Sequence, residues 1–314
     1  MRIVFMGTPD FAVPSLLALH AAGHDIVACI TKEDAPKGRK MVLTPPPVKV
    51  AATELNIPVY QPKTLRDQAF ADLLAELDPE LIAVVAFGKI LPTNVLDYPK
   101  YGCINVHGSL LPEYRGAAPM QRVIMDGKPV TGITTMYMAD GIDTGDMLLK
   151  REHKIGENET LGELSEALSA MGAEMLVETV QFAYEGKLVR IPQDDSLATH
   201  AAKIDRAETE LDFTETATVC HNKIRALSPV PMCRAYLPNG SLLKIAKTYI
   251  SNEKTDKPAG TVIEADKNLL IACGGGTVLG ISELVPEGKQ KMGAADYLRG
   301  RKLFCGDVLC GKKE

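Results

Sequence analysis

Tryptophan is absent from this chain of 314 residues, and aromatic residues make up only 5% of it. Its core must therefore rest on aliphatic side chains and methionine instead of large rings. No stretch approaches the ~18 consecutive apolar residues of a membrane span. The opening Met1-Arg2-Ile3-Val4-Phe5 is too short for the apolar part of a secretion signal, and Gly7-Thr8-Pro9-Asp10 interrupts it at once. The seven cysteines are scattered and odd in number. Without a secretion signal they read as reduced thiols of a cytoplasmic protein. Cys220-His221 and Cys305 with Cys310 lack zinc-ligand spacing, so no metal is expected. Gly7-Thr8-Pro9-Asp10 does not complete a G-x-G-x-x-G fingerprint, which disfavours a nicotinamide cofactor. Gly274-Gly275-Gly276 precedes a strand pattern and reads as a turn.

What is present is ordinary globular material: 46% hydrophobic and 24% charged residues, over a length that suits two domains. The net charge of −5 conceals an asymmetry. From Cys220 to the end there are 15 Lys+Arg against 9 Asp+Glu, net +6, which leaves −11 for the rest. A basic end on an acidic chain fits either a polyanionic partner or a solvated basic surface.

Short apolar runs alternate with helical patterns through the first half. Arg2–Met6, Asp25–Thr31, Leu81–Phe87 and Cys103–Val106 are predicted strands; Phe11–Ala22, Pro47–Asn56 and Leu65–Leu77 are predicted helices. This order implies an α/β fold with a doubly wound, mostly parallel sheet. Such sheets bind ligands beyond the carboxyl ends of their strands. Thr131–Met138 and Met147–Ile155 are two further strands, and Thr160–Tyr184 is a long helix with a Leu/Met core stripe. Leu188–Lys203 is polar and without periodicity, and reads as a linker. After a helix at Glu215–Leu227 come short strands at Arg234–Leu237, Leu242–Ile250, Gly260–Glu264, Leu269–Ala272 and Thr277–Leu284. Asn239-Gly240 marks a hairpin between the first two. The expected organisation is a catalytic domain over 1–189, a linker over 190–206 and a small OB-like β-barrel over 207–314.

Asn105 and His107 lie two apart at a strand end, so both point to one side of it. Asp143 sits in Asp140-Gly141-Ile142-Asp143-Thr144-Gly145-Asp146, a loop with two glycines. An amide donor, an imidazole and a carboxylate can serve acyl transfer: a donor to a developing oxyanion, a proton carrier, and a group that orients it. No Ser or Cys nucleophile stands beside a base, which points to direct attack by a substrate amine. The competing reading is a structural histidine and a turn-forming aspartate.

Four segments add a resemblance. Asn105 to Pro112 followed by Tyr114-Arg115-Gly116-Ala117-Ala118-Pro119, the loop Gly141 to Leu148, Gly7-Thr8-Pro9-Asp10-Phe11-Ala12 and Ala86-Phe87-Gly88-Lys89-Ile90-Leu91-Pro92 together resemble the folate-dependent formyltransferases. The likeness is nearest to the branch that formylates methionyl-tRNA. It implies 10-formyltetrahydrofolate as donor, initiator methionyl-tRNA as acceptor, no metal, and Asn105, His107 and Asp143 as the catalytic trio. It further implies a folate site at Ser109, Leu110, Leu111 and Pro112 with Phe87, Gly88, Ile90 and Leu91. It also implies an inserted flexible basic loop, Lys32 to Lys49, that reaches tRNA through Lys37, Arg39 and Lys40. Met41-Val42-Leu43-Thr44 departs from the more lysine-rich pattern of that loop. A formyltransferase acting on a nucleotide-sugar amine shares the trio and a barrel-like extension, and remains the alternative. A glycinamide ribonucleotide formyltransferase would need neither second domain nor basic loop, and a silent folate- or RNA-binding module would not need an intact trio.

Overall fold

The run Ile3-Val4-Phe5-Met6 is fully buried, as expected of a strand covered on both faces. It forms most of β1 (Arg2–Gly7). The computed structural model describes residues 1–38, 41–300 and 303–311. After β1 the chain continues through α1 (Val13–Ala21), β2 (Asp25–Ile30), β3 (Ala35–Lys37), β4 (Val42–Thr44), α2 (Pro47–Glu54), β5 (Val59–Tyr60), α3 (Gln68–Leu77), β6 (Leu81–Val85), α4 (Thr93–Leu96), β7 (Cys103–His107), β8 (Arg115–Gly116) and α5 (Pro119–Met125). It then passes through β9 (Val130–Tyr137), β10 (Met147–Lys154), α6 (Leu161–Tyr184), β11 (His200–Ala201), α7 (Ala217–Leu227), β12 (Cys233–Tyr236), β13 (Leu242–Ser251), β14 (Val262–Ala265), β15 (Leu269–Cys273), β16 (Thr277–Pro286), β17 (Met292–Gly293) and α8 (Ala294–Arg299). No helix among the described residues is long and apolar enough to cross a membrane.

Two compact units emerge. The first takes Met1–Gly116, Thr131–His153 and Ser165–His200; the second takes Ala117–Val130, Lys154–Leu164 and Ala201–Glu314. The first unit is built on a seven-stranded sheet in the order β10-β9-β7-β6-β1-β2-β5. The five strands from β5 to β7 are parallel, and β9 runs antiparallel to β7. β6 is buried throughout, which is why it reads as an unbroken apolar run. In α3, Phe70, Leu74 and Leu77 form an i, i+4, i+7 stripe that enters the core. Its start is three residues later than the apolar pattern predicts, because Asp67 caps it by accepting from Phe70 N at 3.0 Å. It ends at Asp78, which takes a left-handed backbone with φ 44°.

The second unit holds a six-stranded sheet in the order β12-β13-β16-β15-β14, with β17 on β16; the paired strands run antiparallel. Ala217, Cys220, Ile224 and Leu227 of α7 pack into the same apolar cluster as Leu243 and Leu279. Thr216 caps α7 from Val219 N. The expected hairpin joins β12 to β13, with Gly240 at φ 77°. The long β13–β16 pairing shifts register at Lys247, the kind of irregularity that bends a strand. The overall result is a mostly parallel α/β sheet with a separate antiparallel β-sheet unit. Sequence patterning overlooked β5, α4, α5, α8 and the β3–β4 hairpin, all too short to show a period. That hairpin falls inside the segment expected to be a flexible loop.

Candidate active site

β7 ends where the first unit's parallel strands deliver their carboxyl ends, and Asn105 and His107 share one side of it. Thr134 of the neighbouring strand stands opposite His107 in the ladder. Asn105 is half-buried, and among the described residues its carboxamide makes no hydrogen bond. Such a group is free to donate to a ligand. His107 is buried, at 6% exposure. Its Nε2 lies 3.0 Å from the carbonyl oxygen of Tyr114. A carbonyl only accepts, so Nε2 donates and the imidazole's remaining nitrogen, Nδ1, is the one open to chemistry. Asp143 Oδ2 stands 3.6 Å from that Nδ1, within Coulombic reach and just beyond hydrogen-bond length.

The Asp143 carboxylate is itself anchored, accepting from Gly116 N at 2.8 Å. Its backbone lies in the left-handed region, at φ 54°, a conformation aspartate tolerates better than most residues. Gly145 fixes the far side of the loop. A Cβ there would come 1.8 Å from the Tyr137 carbonyl oxygen, so only glycine allows this approach. Gln193 completes the frame by donating from Nε2 to the carbonyls of Asp143 and Gly145, both at 2.8 Å. The trio singled out in the sequence is thus partly brought together: His107 and Asp143 face each other, and Asn105 flanks His107 on the same strand face. Sequence reasoning missed Gln193, because a lone glutamine in an aperiodic polar stretch carries no signal. It also missed Tyr114, which takes part through its main chain.

The residues expected to hold folate separate into two kinds. Ser109 and Leu111 are fully buried. The Ser109 hydroxyl donates to the Glu113 carbonyl at 2.7 Å. Thr134 Oγ1 donates to Ser109 O at 2.7 Å and accepts from Leu111 N at 3.1 Å. These bonds set the turn 109–113; Leu110 and Pro112 are half-buried. Phe87 and Leu91 belong to the apolar core, whereas Ile90 is 70% exposed and Gly88 is exposed. Ile142, in the Asp143 loop, is exposed as well. Exposed aliphatic side chains on loops around the strand ends suit a flat heterocycle that needs apolar walls. Among the described residues no group of His, Cys, Asp and Glu is placed to hold a metal ion.

In the basic segment, Lys37 is exposed on β3, while Arg39 and Lys40 lie outside the described residues. The hairpin pairs Ala35 with Thr44 and Lys37 with Val42. Its base is tied down by Lys49, whose ammonium contacts both Asp34 carboxylate oxygens at 2.8 and 2.9 Å and Gln61 Oε1 at 2.9 Å. Gln61 donates back to the Lys32 carbonyl at 2.6 Å. Gln61 Nε2 also donates to Asp34 Oδ1 at 2.8 Å, and the bonds from Lys49 and Gln61 hold the Asp34 carboxyl below its ordinary value.

Comparison with known proteins adds relatives over the full length. Residues 1–180 match the family described as formyl transferase, and residues 203–302 match the formyl transferase C-terminal domain. A methionyl-tRNA formyltransferase of Halalkalibacterium halodurans is 47% identical over 316 residues, covering 99% of each chain. One from Pelotomaculum thermopropionicum is 45% identical over 311 residues, covering 98% of each. Among solved structures, an N-formyltransferase from Helicobacter canadensis, in complex with folinic acid and dTDP-3-aminofucose, superposes with a TM-score of 0.68. It is 20% identical, with 90% of this chain and 98% of that one covered, a likeness of fold alone.

Proposed function

The chain belongs to the formyl transferase family, and we propose that Asn105, His107 and Asp143 are the residues with which it works. It transfers the formyl group of 10-formyltetrahydrofolate to the free amino group of methionyl-tRNA, making formylmethionyl-tRNA for translation initiation. The observation that carries this reading is the facing of His107 Nδ1 and the anchored Asp143 carboxylate, 3.6 Å apart, in a chain so similar from end to end to methionyl-tRNA formyltransferases.

The uncharged amine attacks the formyl carbon, a new C–N bond forms, and negative charge develops on the formyl oxygen. Asn105 donates its free carboxamide N–H to that oxygen, the oxyanion stabilisation that is usually the largest single term in such catalysis. His107, with Nε2 committed to Tyr114 O, carries a proton on Nδ1, and only in that protonated form does it help hold the oxyanion. Asp143 orients the ring and takes the proton the attacking amine must lose. The bond from the formyl carbon to the folate nitrogen then breaks, and Asp143 passes the proton taken from the amine to that leaving nitrogen. Ser109, Leu110, Leu111 and Pro112 supply mainly main-chain groups to the folate, and Gly88 and Ile90 line its ring, with Phe87 and Leu91 supporting them from the core.

Lys37, Arg39 and Lys40 contact the acceptor end of the tRNA. The catalytic domain spans 1–189, the linker 190–206, and the tRNA-binding domain 207–314, the last an OB-like barrel. The protein works in the cytoplasm. Supporting this are the net +6 of the chain beyond Cys220 and the exposed Lys37; a nucleotide-linked amino sugar, with few charges, needs no such surface. The test is steady-state formylation with methionyl-tRNA and with a nucleotide-linked amino sugar, each over a salt series. Fast, salt-sensitive use of methionyl-tRNA and no use of the sugar are expected. The reverse preference would move the acceptor to the sugar class.

A further inference from the structure

A closed circuit of hydrogen bonds runs through the segment expected to be a mere linker. Gln193 Nε2 donates to Asp143 O and Gly145 O, both at 2.8 Å. Gln193 Oε1 accepts from Arg115 Nε at 2.9 Å. Arg115 NH2 in turn pairs with Asp195 at 2.7 Å, and Arg115 N donates to Thr199 O at 2.9 Å. Thr199 Oγ1 accepts from Tyr114 N at 2.8 Å, and Tyr114 O receives His107 Nε2. Both ends of the circuit therefore arrive at the His107–Asp143 pair. The orientation of the Gln193 amide is dictated by its partners. Two carbonyls demand the NH2 side, and a guanidinium demands the oxygen.

We propose that Gln193 is a positioning residue for formyl transfer that acts through Asp143; this rests on the reading of Asp143 given above. The Asp143 loop has reason to need a clamp. Its backbone at Asp143 is left-handed, and its carboxylate is held by one main-chain N–H, Gly116. Two bonds from one side-chain amide fix the carbonyls on either side of Thr144 and so fix where the carboxylate stands relative to His107. Displacing a catalytic group by about 1 Å lowers turnover on the order of 10²-fold.

The experiment compares Gln193→Glu and Gln193→Ala with the wild-type full chain. Glutamate keeps the size and the Arg115 contact but turns an oxygen toward two carbonyls. For Gln193→Glu, kcat falls on the order of 10²-fold, while KM for methionyl-tRNA and the melting temperature stay near wild type. Its activity relative to wild type recovers as pH falls, because a protonated carboxyl again donates one bond, whereas the same ratio for Gln193→Ala is flat with pH. In an Asp143→Asn background, Gln193→Glu has almost no further effect. Wild-type kcat in Gln193→Glu, or an undiminished Gln193→Glu effect in the Asp143→Asn background, overturns the proposal. Near wild-type turnover of Asp143→Asn alone would instead overturn the assignment of Asp143 itself.

Discussion

His107 Nε2 donates to the main-chain oxygen of Tyr114 at 3.0 Å, and this contact decides which ring nitrogen faces Asp143. Tyr114 is itself in a left-handed conformation at φ 59°, which a large side chain adopts only when its surroundings hold it there. Two strained residues, Tyr114 and Asp143, thus bracket the imidazole.

Asn105 and His107 should respond differently to truncation. Asn105→Ala is expected to lower kcat on the order of 10²–10³-fold, the usual cost of one oxyanion donor, with an unchanged melting temperature, since its carboxamide bonds nothing among the described residues. His107→Ala also removes the hydrogen bond to Tyr114 O and the packing of a buried ring, so it loses about 1–3 kcal/mol of stability as well. Thermal melts beside single-turnover formylation separate the two. An Asn105→Ala enzyme with wild-type kcat removes the carboxamide from the transition state.

Gly132 offers a second, independent handle. A Cβ at this position of β9 would lie 2.1 Å from the Arg151 carbonyl oxygen and 2.7 Å from Leu110 Cδ2. Gly132→Ala must therefore push β10 or the 109–113 turn away. The expected loss is about 1–3 kcal/mol, as for other overpacked sites, together with weaker folate binding through Leu110. Urea unfolding and folate titration measure both. Unaltered folate affinity in a destabilised variant would take Leu110 out of the folate site.

The central strands were legible because β1 and β6 are buried on both faces and so appear as unbroken apolar runs. The shared strand face of Asn105 and His107 was legible because alternation along a strand puts i and i+2 on one side. The tight turn that carries Asp143 was legible through its glycine neighbours. The Gln193 clamp was not, because its bonds reach carbonyls 50 and 48 residues away, and no local pattern encodes a tertiary hydrogen bond. The core placement of Phe87 and Leu91 was likewise invisible, since an apolar residue after a strand reads alike whether it faces a ligand or the interior. The β3–β4 hairpin was hidden by Pro36 and by its three-residue strands, too few to show alternation.

Glu163 supplies a pH-dependent element in the second unit. With Thr160 it forms a capping box: Thr160 N donates to Glu163 Oε2 at 2.8 Å, and Glu163 N donates to Thr160 Oγ1 at 3.4 Å. The Thr160 backbone bond first, then Lys247 and the Thr160 hydroxyl, hold its carboxyl down to about 2, from an ordinary 4.5. A depressed folded value means stability present above pH 4.5 and lost as pH falls toward about 2. Glu163→Gln should therefore lower the urea midpoint fully near neutral pH, with the gap closing below that upper value. High salt should narrow the gap at neutral pH, because the pair with Lys247 is well exposed. A gap that persists unchanged into acid would show that the carboxylate charge contributes nothing.

The base of the basic hairpin gives the sharpest separation between acceptor use and donor use. Lys49 ties Asp34 and Gln61 together, and Gln61 holds the Lys32 carbonyl, so one ammonium fixes where the segment leaves the sheet. Lys49→Ala leaves the half-buried Asp34 carboxylate without its cation and frees the hairpin to sample other positions. Amide exchange should quicken in β3 and β4, while β1 and β6 remain protected. KM for methionyl-tRNA should rise by about tenfold, equivalent to about 1.4 kcal/mol. Folate binding and kcat should stay near wild type, because the Asn105–His107–Asp143 arrangement makes no use of Lys49. Arg39→Ala should show the same split with a larger rise and a shallower dependence on salt, since one fewer cation then meets the phosphates. Faster exchange in the hairpin with no change in KM for methionyl-tRNA would show that this segment does not meet the tRNA, and the acceptor end would then have to be held by the second unit alone.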